Sequence, residues 1–329
     1  MKRYFDVLSL LFIFSFSGFS QKKYEYNDGP FIYKNKKKYD VEWIEKGQHV
    51  KTKFKNTTDT ILAIPGLPTV DFTKLNFTSD TTLFYTQVNK IAAISDVHGQ
   101  YDLFLDLLEA QQVIDSTGQW VFGDGHLVIV GDIFDRGPLV TECLWFLFFL
   151  EQEATQAGGK VHFILGNHEL MILHGDVGYI HRKYRYSSGV TQKEYQDFYS
   201  ESSILGQWLR SKNITVCIND FVFVHGGFSK AVIDKENSLK KLNTIFQEKI
   251  IPNVNAAYDT TALISELYFD NGPLWYRGNA DPTKFDLEQA DYILGKLGKE
   301  SIIIGHTSMP QVMSLHDNRI ILVDSSIKF

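Results

Sequence analysis

Apolar residues recur along this chain in three rhythms, and each predicts a different element. From Lys22 to about Val88 they alternate with polar residues in short segments: Phe31-Ile32-Tyr33, Tyr39-Asp40-Val41-Glu42-Trp43, His49-Val50-Lys51-Thr52-Lys53-Phe54 and Ile61-Leu62-Ala63-Ile64. Asn27-Asp28-Gly29-Pro30 and Pro65-Gly66-Leu67-Pro68 are the turn signals between them. β-branched and aromatic residues at a period of two predict short antiparallel strands, hence a small β domain over residues 21–88. No residues there combine into a catalytic set. From Lys90 on, the apolar runs lose their alternation: Ile91 to Ile94, His126 to Val130, Val161 to Leu165, Phe221 to Val224 and Ile302 to Ile304. Unbroken runs of this kind predict parallel strands covered on both faces by helices. The helices show as spacings of three and four, at Leu103, Phe104, Leu107 and Leu108, and again at Leu239, Leu242, Phe246 and Ile250 before Pro252. The run Cys143 to Leu150 is apolar, which marks a core helix too short to span a membrane.

Composition narrows the class. At 329 residues, 44% hydrophobic and 22% charged, the chain has material for one large core or two smaller ones and is folded, not disordered. Met1-Lys2-Arg3, an apolar stretch from Val7 to Phe16, and the small residues Gly18 and Ser20 have the three-part layout of a secretory signal. Cleavage is expected after Ser20, giving a periplasmic or secreted mature protein. The apolar stretch is broken by serines and shorter than the ~20 residues of a spanning helix, so no membrane association is expected after cleavage. The net charge of −6, more negative still once Lys2 and Arg3 leave with Asp6, argues against nucleic acid as a partner. Cys143 and Cys217 lie in apolar surroundings without metal-ligand or nucleophile spacing, and read as small core residues whether or not they pair. Asn-x-Thr matches at Asn56, Asn76 and Asn213 are too short a pattern to carry weight.

The chemistry gathers where the strands end. Val128-Ile129-Val130 stops at Gly131 and delivers Asp132, Asp135 and Arg136 within five residues. At the carboxyl edge of a parallel strand, Asp132 offers a hard oxygen to a divalent cation and Arg136 a planar fork of donors for phosphate oxygens. Alone, the segment is equally well a turn closed by a surface Asp-Arg pair. The run Ile91 to Ile94 leads into Ser95-Asp96-Val97-His98-Gly99, whose Asp96 and His98, two apart in an extended segment, can share an ion. Val161 to Leu165 ends in Gly166-Asn167-His168-Glu169, Phe221 to Val224 in His225-Gly226-Gly227, and Ile302 to Ile304 in Gly305-His306. His168-Glu169 also opens a zinc-protease pattern, but Ile172 stands where its second histidine belongs. One histidine at a strand end is more often structural. Five strand ends presenting Asp, Asn or His have the composition of a mixed nitrogen and oxygen dinuclear metal site.

Taken in that order, Ser95 to Gly99, Gly131 to Gly137, Gly166 to Glu169, His225 to Gly227 and Gly305-His306 resemble the metallophosphoesterases of the phosphoprotein phosphatase type, from about residue 90 to the end. Gly123-Asp124-Gly125-His126, Glu169-Leu170-Met171-Ile172 and Gly272-Pro273-Leu274-Trp275-Tyr276-Arg277-Gly278 resemble more narrowly the Shewanella-like phosphatases. The N-terminal β segment resembles the domain that precedes the catalytic domain in secreted bacterial members. Ser95 departs from the glycine that family often has. The resemblance implies an α/β fold, with a two-sheet metallophosphoesterase core flanked by helices (αββα) over residues 89–329, preceded by a small all-β domain. It implies two divalent metal ions, manganese, iron or zinc, with Asp96 and His98 on the first, Asp132 bridging, and Asn167, His225 and His306 completing the second. It further implies hydrolysis by a metal-bridged hydroxide attacking phosphorus directly. In that scheme Arg136 and Arg277 clamp the phosphate, and His168, oriented by Asp135, protonates the leaving oxygen. His49, His126, His162, His174, His181 and His316 match no ligand position and are expected to be structural or exposed.

The expected substrate is a phosphorylated protein or a small phosphoester, phosphotyrosine above phosphoserine, with Tyr179 to Tyr199 and Trp275-Tyr276 as aromatic walls. The alternative activity is hydrolysis of dinucleoside polyphosphates. A non-catalytic binding protein is disfavoured, because every expected ligand and both arginines are present. The basic aromatic segment Gly175 to Tyr199 and the helix at Leu239 are expected to flank the cleft, either as a cap or as solvated helix faces.

Overall fold

The alternating N-terminal segments form three antiparallel strands, β1 (Asp28–Asn35), β2 (Lys38–Glu45) and β3 (Gln48–Lys55), in that spatial order. The computed structural model of the chain describes residues 26–36, 38–55, 61–62, 70–71, 77, 82–259 and 261–327. The expected signal segment, the turn at Pro65 and the acceptor matches at Asn56 and Asn76 lie outside the described residues. A short pair, β4 (Ile61–Leu62) and β5 (Val70–Asp71), follows. Next come β6 (Phe84–Tyr85), β7 (Ile91–Ile94), α1 (Tyr101–Ala110), β8 (His126–Val130), α2 (Val140–Gln156), β9 (Lys160–Ile164), α3 (Asn167–Leu173), α4 (Arg182–Thr191) and α5 (Ile204–Arg210). The remainder holds β10 (Thr215–Ile218), β11 (Phe221–Val224), α6 (Lys230–Lys235), α7 (Leu239–Ile245), α8 (Ala262–Tyr268), α9 (Leu287–Leu297), β12 (Ser301–Ile304), β13 (Met313–Leu315) and β14 (Ile320–Leu322).

Strands β7, β8 and β9 run parallel in one sheet, and a six-stranded sheet has the order β13-β14-β12-β11-β10-β6. Within the latter, β11, β12 and β14 are parallel. Period-two alternation explains the layers. Val128, Val130 and Ile164 point inward against Val216, Ile218, Phe223 and Ile303 of the opposite sheet, while Leu127, Ile129 and Phe163 point outward into the helical layer. The result is the expected pair of sheets flanked by helices. Strand β6 lies before the boundary expected at residue 88, yet it is the edge of the six-stranded sheet, parallel to β10 through Cys217↔Phe84 and Ile218↔Tyr85. The catalytic layer therefore begins ahead of that boundary.

Helix α2 can be apolar all round because it is covered on two sides. One side faces the parallel sheet. On the other, Trp145 donates its indole N–H to Pro30 O at 3.0 Å, and Phe31, Ile32, Tyr39 and Val41 share one buried cluster with Leu144, Trp145 and Phe148. Phe31 also stacks on Phe198 at 3.9 Å. A buried polar network seals the junction: Asp28 accepts from Thr141 Oγ1 of α2 at 2.8 Å and from Ser187 Oγ of α4 at 2.5 Å, with Lys183 Nζ at 3.6 Å.

Several residues expected to be structural lie in packed surroundings. Cys143 and Cys217 are buried free thiols, and burial pushes both up, Cys217 to about 12. Leu239, Leu242, Phe246 and Ile250 form one buried stripe that runs from α7 into a π-helical turn, Phe246–Ile250, where His174 Nε2 lies 3.0 Å from Ile250 O. His126 and His162 bond to each other at 2.9 Å. No described helix is long and apolar enough to cross a membrane.

Candidate active site

The carboxyl ends of β7, β8, β9, β11 and β12 meet at one edge, and the backbone there does much of the gathering. Asp96, His98, Asp132, Asp135, Arg136 and His306 all adopt positive φ, between 47° and 71°. That region is disfavoured for residues with a Cβ, at an order of 1 kcal/mol or more each, so strain is concentrated where the side chains turn inward. The glycines beside them permit the approach. A Cβ on Gly166 would lie 2.2 Å from Asp132 Oδ1, and one on Gly305 would lie 1.9 Å from Ser95 Oγ and 2.7 Å from Asp96 Oδ2.

Asp132 is the centre. Its Oδ1 accepts the His168 N–H at 3.0 Å, and its Oδ2 lies 3.2 Å from His225 Nε2, 3.7 Å from His98 Nε2 and 3.9 Å from His168 Nε2. His98 Nδ1 is 2.5 Å from Phe134 O, which turns its Nε2 toward Asp132 and toward Asp96 Oδ1 at 3.8 Å. Asp96 Oδ2 accepts from the Ser95 hydroxyl at 2.5 Å and from His306 N–H at 2.9 Å. The serine that replaces glycine in this position thus steadies the aspartate. His225 Nε2 is also 3.0 Å from Asn167 Oδ1, while its Nδ1 points at Val130 O, 2.7 Å away. His306 Nε2 is 3.1 Å from Trp275 O. His168 Nδ1 pairs with Asp135 Oδ2 at 2.5 Å. Arg136 and Arg277 stand exposed at the rim; Arg277 Nη1 donates to His306 O at 2.8 Å, and the backbone N–H of Arg136 donates to Tyr179 O at 3.0 Å.

The electrostatics follow from burial among opposite charges. Burial alone would raise Asp132, yet His225, His168 and His98 hold it well below the usual carboxylate range. Burial opposes charge on His225 too, and Asp132 overrides it, pushing His225 up to about 9. His306 goes the other way, to about 2, through burial and the neighbouring His225. Burial, with Asp132 and Asp176 nearby, raises Asp135 although His168 pulls it down.

These donors fit two divalent cations. Ligand atoms of His98, Asp132 and His168, and of Asp132, His225 and His306, lie within 4.8 Å of one another in two buried groups that share Asp132. Carboxylate and amide oxygens with imidazole nitrogens, and no thiolate, suit manganese, iron or zinc. In the first group His168, expected as the proton donor, takes the place expected of Asp96, whose Oδ1 lies 3.8 Å from His98 Nε2; Asn167 Oδ1 lies 3.0 Å from His225 Nε2 of the second.

Two contributions were not legible as roles. Glu169 is fully buried and accepts backbone N–H bonds from Asp132 at 2.8 Å, Ile133 at 2.7 Å and Gly166 at 2.7 Å, tying the β8 loop to the start of α3. Its signal was available: a glutamate three residues after Gly166 at a helix start is the acidic half of a capping box. The tyrosines expected to wall the cleft are instead mostly core, with Tyr184, Tyr195 and Tyr199 buried. Tyr179 alone among the tyrosines of that stretch is strongly exposed, and its ring meets His168 at 5.6 Å.

Residues 89–310 match the calcineurin-like phosphoesterase family, and the chain belongs to it. It is a phosphatase. The cold-active protein tyrosine phosphatase of a psychrophilic Shewanella species superposes with a TM-score of 0.83 at 38% identity, over 92% of this chain and 91% of that one. Shewanella-like protein phosphatase 1 of Plasmodium berghei is 27% identical over 72% of this chain and 67% of its own. A symmetrical bis(5'-nucleosyl)-tetraphosphatase of Vibrio cholerae is more distant, 23% identical over 61% of this chain and 63% of its own.

Proposed function

We propose that the protein is a dinuclear-metal phosphomonoesterase acting on phosphorylated proteins, with phosphotyrosine preferred, outside the cytoplasm. The observation that carries this reading is Asp132, one carboxylate common to two buried donor groups, the first of which includes His168, itself paired through Nδ1 with Asp135. Asp96, His98 and Asp132 would hold one ion, and Asp132, Asn167, His225 and His306 the other. Two such ions supply Lewis-acid polarisation of phosphoryl oxygens and lower the pKa of water. The arginine forks of Arg136 and Arg277, exposed at the rim, would clamp the non-bridging oxygens and set the ester in line.

His168 would give the leaving oxygen its proton. Asp135 holds its Nδ1, so the proton available for transfer sits on Nε2. Burial works against the charged imidazole, but Asp132 and Asp135 outweigh it and raise His168. General acids contribute about 10²–10⁴ in rate. His168→Asn is therefore expected to lose roughly 100-fold or more on alkyl phosphates and far less on nitrophenyl phosphate, whose phenolate leaves unaided. Equal losses on the two would remove His168 from the acid role.

The likeness to a tyrosine phosphatase over nearly the whole of both chains supports the substrate preference. It is checked by kcat/KM on peptides of one sequence differing only in the phosphorylated residue; a phosphoserine peptide at or above its phosphotyrosine counterpart refutes it. The dinucleoside polyphosphate alternative rests on the more distant match and predicts faster turnover of diadenosine tetraphosphate than of either peptide. The location rests on residues 1–20: protein recovered from its native cell should begin near Gln21, and an intact Met1 would contradict export.

A further inference from the structure

We infer that Tyr179 is the specificity-determining residue for an aryl leaving group, its exposed ring forming the wall against which the ring of a phosphotyrosine packs. The inference rests on the phosphatase reading above and deepens it. Among the described residues, ten large hydrophobic or aromatic side chains are strongly exposed, and Tyr179, at 57%, is the one whose ring packs against a residue of the site. Exposed tyrosines on loops are ordinary. This one stands on a loop that is fastened on every side.

Gly178 N–H bonds Asp176 Oδ1 at 3.0 Å, Arg185 Nη2 donates to Val177 O at 3.3 Å and Gly178 O at 3.4 Å, and the next residue, Ile180, is buried. The Tyr179 carbonyl itself accepts from Arg136 N–H at 3.0 Å. One residue thus adjoins both the phosphate clamp, through its backbone, and the proton donor, through its ring. A ring presented on a pinned loop loses little freedom when a ligand covers it.

Geometry then sorts the leaving groups. The leaving oxygen must come within hydrogen-bond reach of His168 Nε2. In phosphotyrosine that oxygen is bonded directly to an aromatic carbon, so the substrate ring begins beside the imidazole, where the Tyr179 ring stands 5.6 Å away and inclined by 70°. Aromatic pairs favour centroid separations of about 4.5–7 Å in offset or edge-on arrangements. The single methylene of phosphoserine offers that surface almost nothing to cover.

The test is the ratio of kcat/KM for a phosphotyrosine peptide to that for the phosphoserine peptide of the same sequence, measured for wild type, Tyr179→Ala and Tyr179→Phe. Both substrates are read on one preparation, so the ratio is insensitive to the fraction of folded enzyme. Tyr179→Ala should lower the ratio by about tenfold, the order expected for losing an aromatic pair and its buried area. Tyr179→Phe should restore it to within about twofold, because the ring and not the hydroxyl carries the contact. An unmoved ratio in Tyr179→Ala, or a phenylalanine variant that behaves like alanine, overturns the assignment. The wild-type ratio separately tests the substrate preference, so the two readings fail independently.

Discussion

Asp132→Asn is expected to abolish turnover and, on the dinuclear reading proposed above, to lower the bound metal below two ions per chain. One carboxylate lies in both donor groups, its Oδ2 facing His225 at 3.2 Å and His98 at 3.7 Å. A neutral amide has one ligating oxygen and no charge to share, so both sites weaken together. The expected loss is about 10³-fold or more in kcat, equivalent to roughly 4 kcal/mol of transition-state stabilisation. The fold should survive, because an amide oxygen can still accept the His168 N–H now held by Oδ1. Elemental analysis of the purified variant and its kcat on nitrophenyl phosphate check the two halves of the expectation. Near-normal hydrolysis would sink the dinuclear mechanism.

Glu169→Ala is expected to be the most destabilising change in the site, although Glu169 touches no substrate in this scheme. Its carboxylate answers the backbone N–H groups of Asp132, Ile133 and Gly166, and burial with Asp132 nearby raises its pKa while those N–H bonds oppose the rise. Alanine would orphan these buried donors, together with the Phe134 N–H that reaches Glu169 at 3.3 Å, at about 1–3 kcal/mol each. A total loss of about 4 kcal/mol is a large share of the ~5–15 kcal/mol that holds a domain folded. The denaturation midpoint measures it; a shift equivalent to less than about 1 kcal/mol would show that the loop after β8 is held by other contacts. Activity should fall as well, since the loop carries Asp132, Asp135 and Arg136.

Most of the residues of this candidate site were legible because they sit at strand ends, and strand ends are marked by a change from apolar to polar composition that needs no knowledge of distance. Asp132, His225 and His306 are far apart in the chain and could be grouped because each follows such a run. What composition does not encode is conformation. The positive φ of Asp96, Asp132 and His306 arises from the tertiary approach of neighbouring loops, and a residue string carries no sign of it. Tyr184, Tyr195 and Tyr199 read as possible walls because a tyrosine in a polar stretch looks exposed; the N-terminal sheet, packing from more than a hundred residues away, buries that region. Strand β6 escaped for a similar reason: two residues paired to β10 have no periodicity to detect.

The N-terminal sheet carries no chemistry, yet it grips the catalytic layer by its polar network as well as by its core. Asp28 binds Ser187 on α4, and from the same helix Arg185 bonds the carbonyls just before Tyr179, which in turn receives the backbone of Arg136. In evolutionary terms the exchangeable module is therefore larger than the sheet. A recombination event that swapped β1 to β3 between relatives while leaving α4 behind would pass on a mismatched seat for the substrate loop. A chimera that exchanges the sheet together with α4 should therefore keep the Tyr179 loop better seated than one that exchanges the sheet alone.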